Sequence, residues 1–245
     1  MAQLDQIKSQ YALHEVLVLK APKSMNVCVD GGALGANYNG YALLKPRHKE
    51  VSLMPGMRDK IVAALATRFN TNVQTISQYF SEDSIEVFGR LRQTFSEAGE
   101  TIVVAGVVTI TAQDARDASY VRYEILVDRN AAYRNKPVDF QLTTCFGQLY
   151  QIFLIRLPPA PALDIAAPTV VLLAAIHKCD VELKDQDLDF HYYRNMSHLD
   201  LVDITCIKAL VGRVAWDGWW AIIDRSGKLS RGHFEDVDDD EIIEE

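Results

Sequence analysis

The sequence predicts an α+β fold, with a small helix-turn-helix-like segment followed by a mostly antiparallel β barrel or curled sheet of about six strands. Two observations lead to this prediction. Residues 57–80 repeat apolar side chains with a helical period. From Thr101 onward the chain is rich in β-branched, aromatic and alternating segments. A chain of 245 residues, 49% of them apolar, is long enough to bury a substantial core.

The composition divides the chain into four segments. Residues 1–55 are predicted to form one strand, at 16–19, followed by a loop rich in glycine and asparagine. Residues 56–96 form the helix-turn-helix-like segment, and residues 97–234 form the β-rich domain. Residues 235–245 carry eight acidic side chains and no basic one, which predicts a disordered acidic tail. Without this tail the chain has 25 acidic and 25 basic residues, so its body is neutral.

The first helix is predicted from a single apolar stripe. Its members recur at every fourth position, which places them on one helical face: Met57, Ile61, Leu65 and Phe69. Thr71 and Gln74 match the T-x-x-Q pattern of a capping box, so a second short helix is expected from about Asn72. Asn70 between the helices is the expected left-handed turn residue.

This helix pair has two interpretations. In the first, the second helix enters a DNA groove through Asn72 and Gln74, while Arg90 and Arg92 on a hairpin-like wing at 85–108 contact phosphates. In the second, the helices are a packing module. The absence of Lys and Arg from 72–80 favours packing.

The β domain is predicted from runs that alternate or are continuously apolar. The strands are expected at 101–110, 119–128, 140–157, 168–179, 206–214 and 219–224. Gly147 marks a bend or a break in the long third run. Asp217-Gly218 has the composition of a hairpin turn between the last two strands.

Two surface clusters in this domain are candidate binding sites. Arg122, Arg129 and Arg134 are basic residues of the first cluster, with Arg122 expected to point outward from its strand towards DNA phosphates or the acidic tail. The interleaved acidic residues favour an ordinary salt-bridged surface as the alternative. The second cluster is the set of closely spaced tryptophans Trp216, Trp219 and Trp220. Tyr192 and Tyr193 add to this aromatic density. Alternation sends Trp219 and Trp220 to opposite faces, so that an exposed one can bind a peptide or stack on bases. The alternative is one core tryptophan and one partly covered tryptophan at the rim.

The motifs of known catalytic and metal centres do not occur in this sequence. The five best candidate zinc ligands lack the spacing of paired ligands: His177, Cys179, His191, His198 and Cys206. An acidic triad of Asp114, Asp203 and Asp224 can be selected, but turn and capping roles explain these residues equally well. We therefore predict a protein without a cofactor or metal and without recognisable enzyme chemistry.

The expected location is inside the cell. MAQLDQIKSQ at the N-terminus lacks the features of a signal peptide, and no apolar run is long enough to span a membrane. The four cysteines are scattered, which indicates reduced thiols.

Several segments in 57–234 resemble a region of proteins encoded by mushroom-type (basidiomycete) fungal transposons. The shared segments include FGQLYQIFLIRLP, VVLLAAIHKC and the series VDI-x-x-I, VGRV and W-x-I-I-D-R-S-G. The region is also loosely similar to a downstream region of plant CACTA-type element proteins. The resemblance implies a mobile-element origin and work in the nucleus, and it implies no catalytic residues.

The functional hypothesis is a non-enzymatic binding module acting on DNA or on a protein partner. A protein-interaction scaffold without nucleic-acid affinity is the main alternative, and an enzyme without local motifs is the third.

Overall fold

A computed structural model describes residues 28–29, 32–33, 38–49, 52–96, 99–108, 117–133, 135–185, 190–224 and 226. The predicted strand at 16–19, the acidic tail and Arg134 lie outside these residues. The fold class is confirmed as α+β, with two helices packed against a curled antiparallel sheet.

The helices are α1 (Met57–Arg68) and α2 (Val73–Tyr79). Two short strands form a separate pair: β1 (Cys28–Val29) and β2 (Gly32–Ala33). The large sheet contains β3 (Tyr41–His48), β4 (Ile85–Ser96), β5 (Gly99–Val104), β6 (Tyr120–Asp128), β7 (Phe140–Leu157), β8 (Thr169–Lys184), β9 (His191–Asp203), β10 (Ile207–Leu210), β11 (Gly212–Trp216) and β12 (Trp219–Ile223).

The sheet curls into a half-barrel. Its main order is β10-β6-β7-β8-β9-β12-β11, and β4 joins β7 while pairing with β3 and β5 as well. The two ends of this order, β10 and β11, are consecutive in the chain and are separated only by Val211. The Val211 N–H donates to the Tyr120 carbonyl oxygen at 2.9 Å, which ties this connection to β6.

The strand count exceeds the prediction of about six, because the described residues form ten strands in this sheet. The missed strand β9 lacks apolar alternation, and Tyr193 is its only buried residue. The predicted hairpin at 85–108 exists as β4 and β5. This hairpin is part of the large sheet, since β4 also pairs with β3 and β7.

The predicted helix pair is present, but its capping differs. Asn70 has a φ of 47°, which confirms the left-handed turn. The N-cap of α2 is Asn72, whose side-chain oxygen accepts a hydrogen bond from the Thr75 N–H at 2.8 Å. The predicted box of Thr71 and Gln74 is therefore wrong. Asn72 holds the extended backbone conformation next to the first helical turn, so its side chain reaches the free amide.

The helices cover one face of the sheet. The α1 residues Met57, Ile61 and Leu65 are buried against apolar side chains of β7 and β8. Arg68 at the end of α1 forms an ion pair with Asp203. The Lys60 ammonium group donates to the Leu199 carbonyl oxygen at 2.6 Å. These contacts fix α1 to the sheet.

Alternation along β7 separates two of the three apolar clusters. Phe153 and Ile155 face the helices, whereas Ile152 and Leu154 face the concave side. Of the two alternatives predicted at Gly147, the break into two strands is wrong, because β7 runs through this residue as one strand. A third cluster lies where β6, β7, β8, β9, β11 and β12 approach one another, and it contains Tyr120, Phe146, Cys179, Tyr193, Val211 and Ile222. This third cluster supports the candidate site described below.

Glu86 on β4 makes the fold sensitive to acid. Arg47 of β3 donates two hydrogen bonds to its carboxylate, at 2.8 and 3.0 Å, and Arg156 of β7 lies 3.5 Å away. Burial alone would raise the pKa of Glu86, but the hydrogen bonds and charge of Arg47, with the charge of Arg156, outweigh it and lower the pKa from 4.5.

We expect the stability that Glu86 contributes to be present above pH 4.5 and to be lost as the pH falls through its lowered pKa. Glu86→Gln should lower the melting temperature at pH 7 and should flatten the decline below pH 4.5 relative to the wild type. Melting curves by circular dichroism from pH 7 to pH 3 measure both effects. Parallel pH profiles for the two proteins would contradict the prediction.

Candidate functional site

The β11–β12 hairpin carries all three predicted tryptophans. Its turn residues Asp217 and Gly218 have φ of 46° and 75°, the conformation of a two-residue type I′ turn. The hairpin predicted from Asp217-Gly218 is thus confirmed. Trp216 and Trp219 pair directly across this turn.

The two adjacent tryptophans of β12 point to opposite faces of the sheet, as predicted. Trp220 packs against the third apolar cluster. Trp219 lies on the outer face, where the Arg194 guanidinium sits 3.7 Å from the centre of its ring. Trp219 is half-buried, because Arg194 covers one side of its ring, and it faces the outer surface with the rest of the ring, whereas Trp220 supports the hairpin from within.

The outer face forms an open groove of about 350 Å³. We call it the aromatic groove, and it is lined by Leu183, Lys184, Asp185, Tyr192, Trp216 and Trp219. Trp216 is 63% exposed and Leu183 is 54% exposed. The rings of Tyr192 and Trp216 lie 6.1 Å apart at an angle of 51°. At this distance the two rings pack against each other and together present one apolar surface to the groove.

Arg213 holds the hairpin in place from the inner face. Its guanidinium stacks 4.1 Å from the ring centres of both Tyr120 and Trp220. It donates hydrogen bonds to the Tyr193 hydroxyl at 3.2 Å and to Asp117 at 3.1 Å. Burial raises the pKa of Tyr193 well above its ordinary value, so its hydroxyl stays neutral and can accept this bond. The groove therefore sits on a rigid support.

The structure spreads the predicted nucleic-acid residues over three elements. Asn72 and Gln74 are exposed at the start of α2, and Arg90 and Arg92 lie on β4. Arg92 forms an ion pair with Glu100. Arg129 is exposed in the turn after β6.

Arg122 lies on the predicted face of β6, but the exposure expected there is wrong. Val121 and Tyr123 on either side of it are buried in the cluster that contains Ile152 and Leu154, so Arg122 is on the opposite face of the strand. Its side chain is only 13% exposed and lies 3.3 Å from the carboxylate of Asp224, which is 7% exposed. The ion pair makes burial of both charges tolerable on this covered face.

The metal and catalytic candidates have structural roles where they are described. Within the described ranges no group of three or more His, Cys, Asp or Glu side chains is arranged to hold a metal ion. Asp203 binds Arg68 and caps the turn that follows β9, while Asp114 lies outside the described residues. Cys179 is buried beside Met196, and burial raises the pKa of its thiol to about 12, which leaves it protonated and unreactive.

A contact chain on β9 has the order of a catalytic triad. Ser197 Oγ lies 3.0 Å from His198 Nδ1, and His198 Nε2 lies 2.9 Å from Asp200. The His198 side chain is 62% exposed, so water surrounds the imidazole. An exposed chain of contacts does not create the water-excluded environment that activates a serine, and we assign it no catalytic role.

Sequence reasoning grouped Tyr192 with Trp216 and Trp219 by aromatic density but missed Leu183 as their neighbour. These residues meet through register, since Tyr192 pairs with Leu183 on one side and with Ala221 on the other. The cluster of Tyr192 and Tyr193 close to the tryptophans was the one signal of the sequence that pointed there.

Comparisons with protein-family models, curated proteins and solved structures found no match to this chain. The functional argument therefore depends on the geometry of the site. Among the helices that the structure describes, none has the length and apolar character needed to cross a membrane.

Proposed function

We propose that this protein is a protein-interaction module whose aromatic groove binds an extended segment of a partner protein. The observation that supports this proposal best is the solvent-exposed Trp216, 63% accessible, next to Tyr192 and Leu183 on a braced hairpin. Large aromatic side chains exposed beside a cleft are typical of binding hot spots, because they bury much apolar area with little loss of conformational entropy.

The chemistry of the groove indicates the kind of side chain it binds. Tyr192, Trp216 and Trp219 provide aromatic surfaces, and Leu183 adds an aliphatic wall. Lys184 and Asp185 lie at the margin, so the groove has an apolar floor and a polar rim, as protein-binding sites have. An aromatic, aliphatic or proline side chain on an extended backbone fits this combination.

Charge pairing favours a protein partner over DNA. Several arginines that a DNA-binding surface would use are engaged by carboxylates, as shown by Arg47 with Glu86, Arg122 with Asp224 and Arg213 with Asp117. The exposed face of α2 carries Gln74, Ser77 and Gln78 and has no basic residue. Phosphate binding relies on unpaired basic side chains, whereas these three arginines are paired with carboxylates.

The resemblance to the fungal transposon-encoded region adds a cellular context to the proposal. A module of mobile-element origin would work in the nucleus, with another protein of a nucleoprotein complex as its partner. In this context the protein would link its partner to the complex, and the side chains expected to bind in the groove are the same.

The proposal is tested by selecting peptides and then removing the groove. A phage-displayed library of random dodecapeptides is panned against the full chain, and a selected peptide is synthesised with a fluorescein label. We expect the selected peptides to share aromatic, aliphatic or proline residues. Trp216→Ala should weaken their binding at least tenfold by fluorescence anisotropy, since it removes a hot-spot contact worth about 1.4 kcal/mol or more.

Leu126→Ala is the matched control, because Leu126 is an exposed apolar residue on β6 that does not line the groove. We expect it to bind like the wild type. Equal binding by Trp216→Ala and the wild type would contradict the proposal. Binding of labelled duplex DNA that weakens steeply with salt and is unaffected by Trp216→Ala would favour the DNA-binding hypothesis instead.

A further inference from the structure

Strand β11 has an open edge next to the aromatic groove. In the part of the chain that the structure describes, its residues pair with β12 alone, from Gly212 opposite Ile223 to Trp216 opposite Trp219. An open strand edge presents backbone N–H and C=O groups that can accept an added strand.

The hairpin register shows which residues offer those groups. Trp216 and Trp219 flank a two-residue turn and exchange hydrogen bonds, so Val214 and Gly212 also direct their polar groups to β12. Arg213 and Ala215 must then direct theirs to the open edge. Val211 supports this alternation, because its N–H points away from β12 and donates to Tyr120 of β6 at 2.9 Å.

A comparison with β3, which also lies at a sheet edge, shows that β11 is the less protected of the two. Strand β3 carries Lys45 and Pro46, and its register with β4 is irregular between Leu44 and Arg47. Charged residues, proline and irregular register are the features by which proteins block unwanted pairing. Strand β11, with the sequence GRVAW, pairs in regular register and contains no proline, and its one charged residue, Arg213, is paired with Asp117.

The side chains of β11 define the chemistry of the partner. Val214 and Trp216 lie on the outer face, and both are more than half exposed. Arg213 is on the opposite face, where its positive charge is already paired with Asp117 and bonded to the Tyr193 hydroxyl, so this face suits polar, uncharged side chains. A strand beside β11 would therefore place apolar residues against Val214 and Trp216, and polar residues on the side of Arg213.

We propose that the partner segment binds by adding an antiparallel strand to β11, and that it alternates apolar with polar residues. Its polar residues bond through their backbone to Arg213 and Ala215, while its apolar side chains cover Val214 and enter the aromatic groove at Trp216. This inference rests on the proposed function and specifies its binding mode. The groove then selects side chains, and the β11 edge supplies backbone hydrogen bonds.

Backbone methylation of a synthetic peptide tests this binding mode without altering the protein. The probe is the fluorescein-labelled peptide DVTVTWTVD, measured by anisotropy against the full chain. N-methylation of the central threonines removes the amides that face β11 and should weaken binding at least tenfold. N-methylation of the apolar residues at equivalent central positions alters amides that face solvent and should change binding less than threefold.

Other outcomes overturn the inference in distinguishable ways. Equal loss from both methylation patterns, or no binding of the unmethylated probe, excludes strand addition by this class of segment. The peptides selected in the library experiment would still depend on Trp216 if the groove alone binds. Sedimentation could also show that the protein is a dimer and that the probe converts it to a monomer. This result would assign the β11 edge to a second copy of the chain. It would then overturn the proposal of a separate partner.

Discussion

Gly147→Ala is expected to destabilise the protein by about 3 kcal/mol, because the new methyl group has no room between β7 and β8. An ideal Cβ at Gly147 would lie 2.4 Å from the His177 carbonyl oxygen and 2.6 Å from the Ile176 side chain. The carbonyl belongs to the backbone of β8 next to its pairing with β7, so it cannot move away without disturbing the sheet. Urea unfolding followed by far-ultraviolet circular dichroism measures the loss.

Gly212→Ala is the matched control for this prediction. Gly212 is also a strand glycine, but a Cβ there would meet only Ile223 at ordinary contact distances of 3.8 and 3.9 Å. We expect a change within about 0.5 kcal/mol. A similar small change for Gly147→Ala would mean that β7 and β8 separate at this point at little cost, and would contradict the packing described here.

Arg213→Ala is expected to cost about 2 to 3 kcal/mol and to loosen the β11–β12 hairpin. The change removes two stacking contacts, to Tyr120 and Trp220, and the hydrogen bonds to Tyr193 and Asp117. Stacking of this kind contributes about 1 kcal/mol per ring, and the two hydrogen bonds together add at most about 1 kcal/mol, because solvent reaches the Arg213 and Asp117 side chains. Thermal unfolding and amide hydrogen exchange measure the global and the local effects.

Arg213→Lys separates the role of charge from that of shape. Lysine keeps the positive charge near Asp117 but lacks the planar guanidinium that fits between two rings. We therefore expect it to recover less than half of the lost stability. Full recovery would show that charge alone holds the hairpin, and wild-type hydrogen exchange in Arg213→Ala would exclude the bracing role altogether.

The parts of the fold that sequence predicts are those with a strong local pattern. The apolar stripe of Met57, Ile61 and Leu65 predicted helix α1, and the turn residues Asp217 and Gly218 predicted the last hairpin. Strand β9 was missed because its exposed residues break the alternation, and its pairing with β8 and β12 is decided by neighbours far away in the chain.

The candidate site was predictable in part for the same reason. Alternation along β12 was sufficient to separate Trp219 from Trp220. The contribution of Leu183 depends on the register between β8 and β9, which shifts several times. The burial of Arg122 depends on Asp224, which follows it by about a hundred positions and comes near it only in the folded sheet. Local patterns contain no information on such long-range pairings.

The three tryptophans of the chain all lie in the β11–β12 hairpin. Intrinsic fluorescence excited at the indole band therefore originates within one small region and needs no introduced label. Trp216 and Trp219 are in the groove, whereas Trp220 is held against Arg213, so quenching by iodide divides the emission into a ligand-facing and a protected component. The protein consequently contains its own optical reporter of whether the groove is occupied.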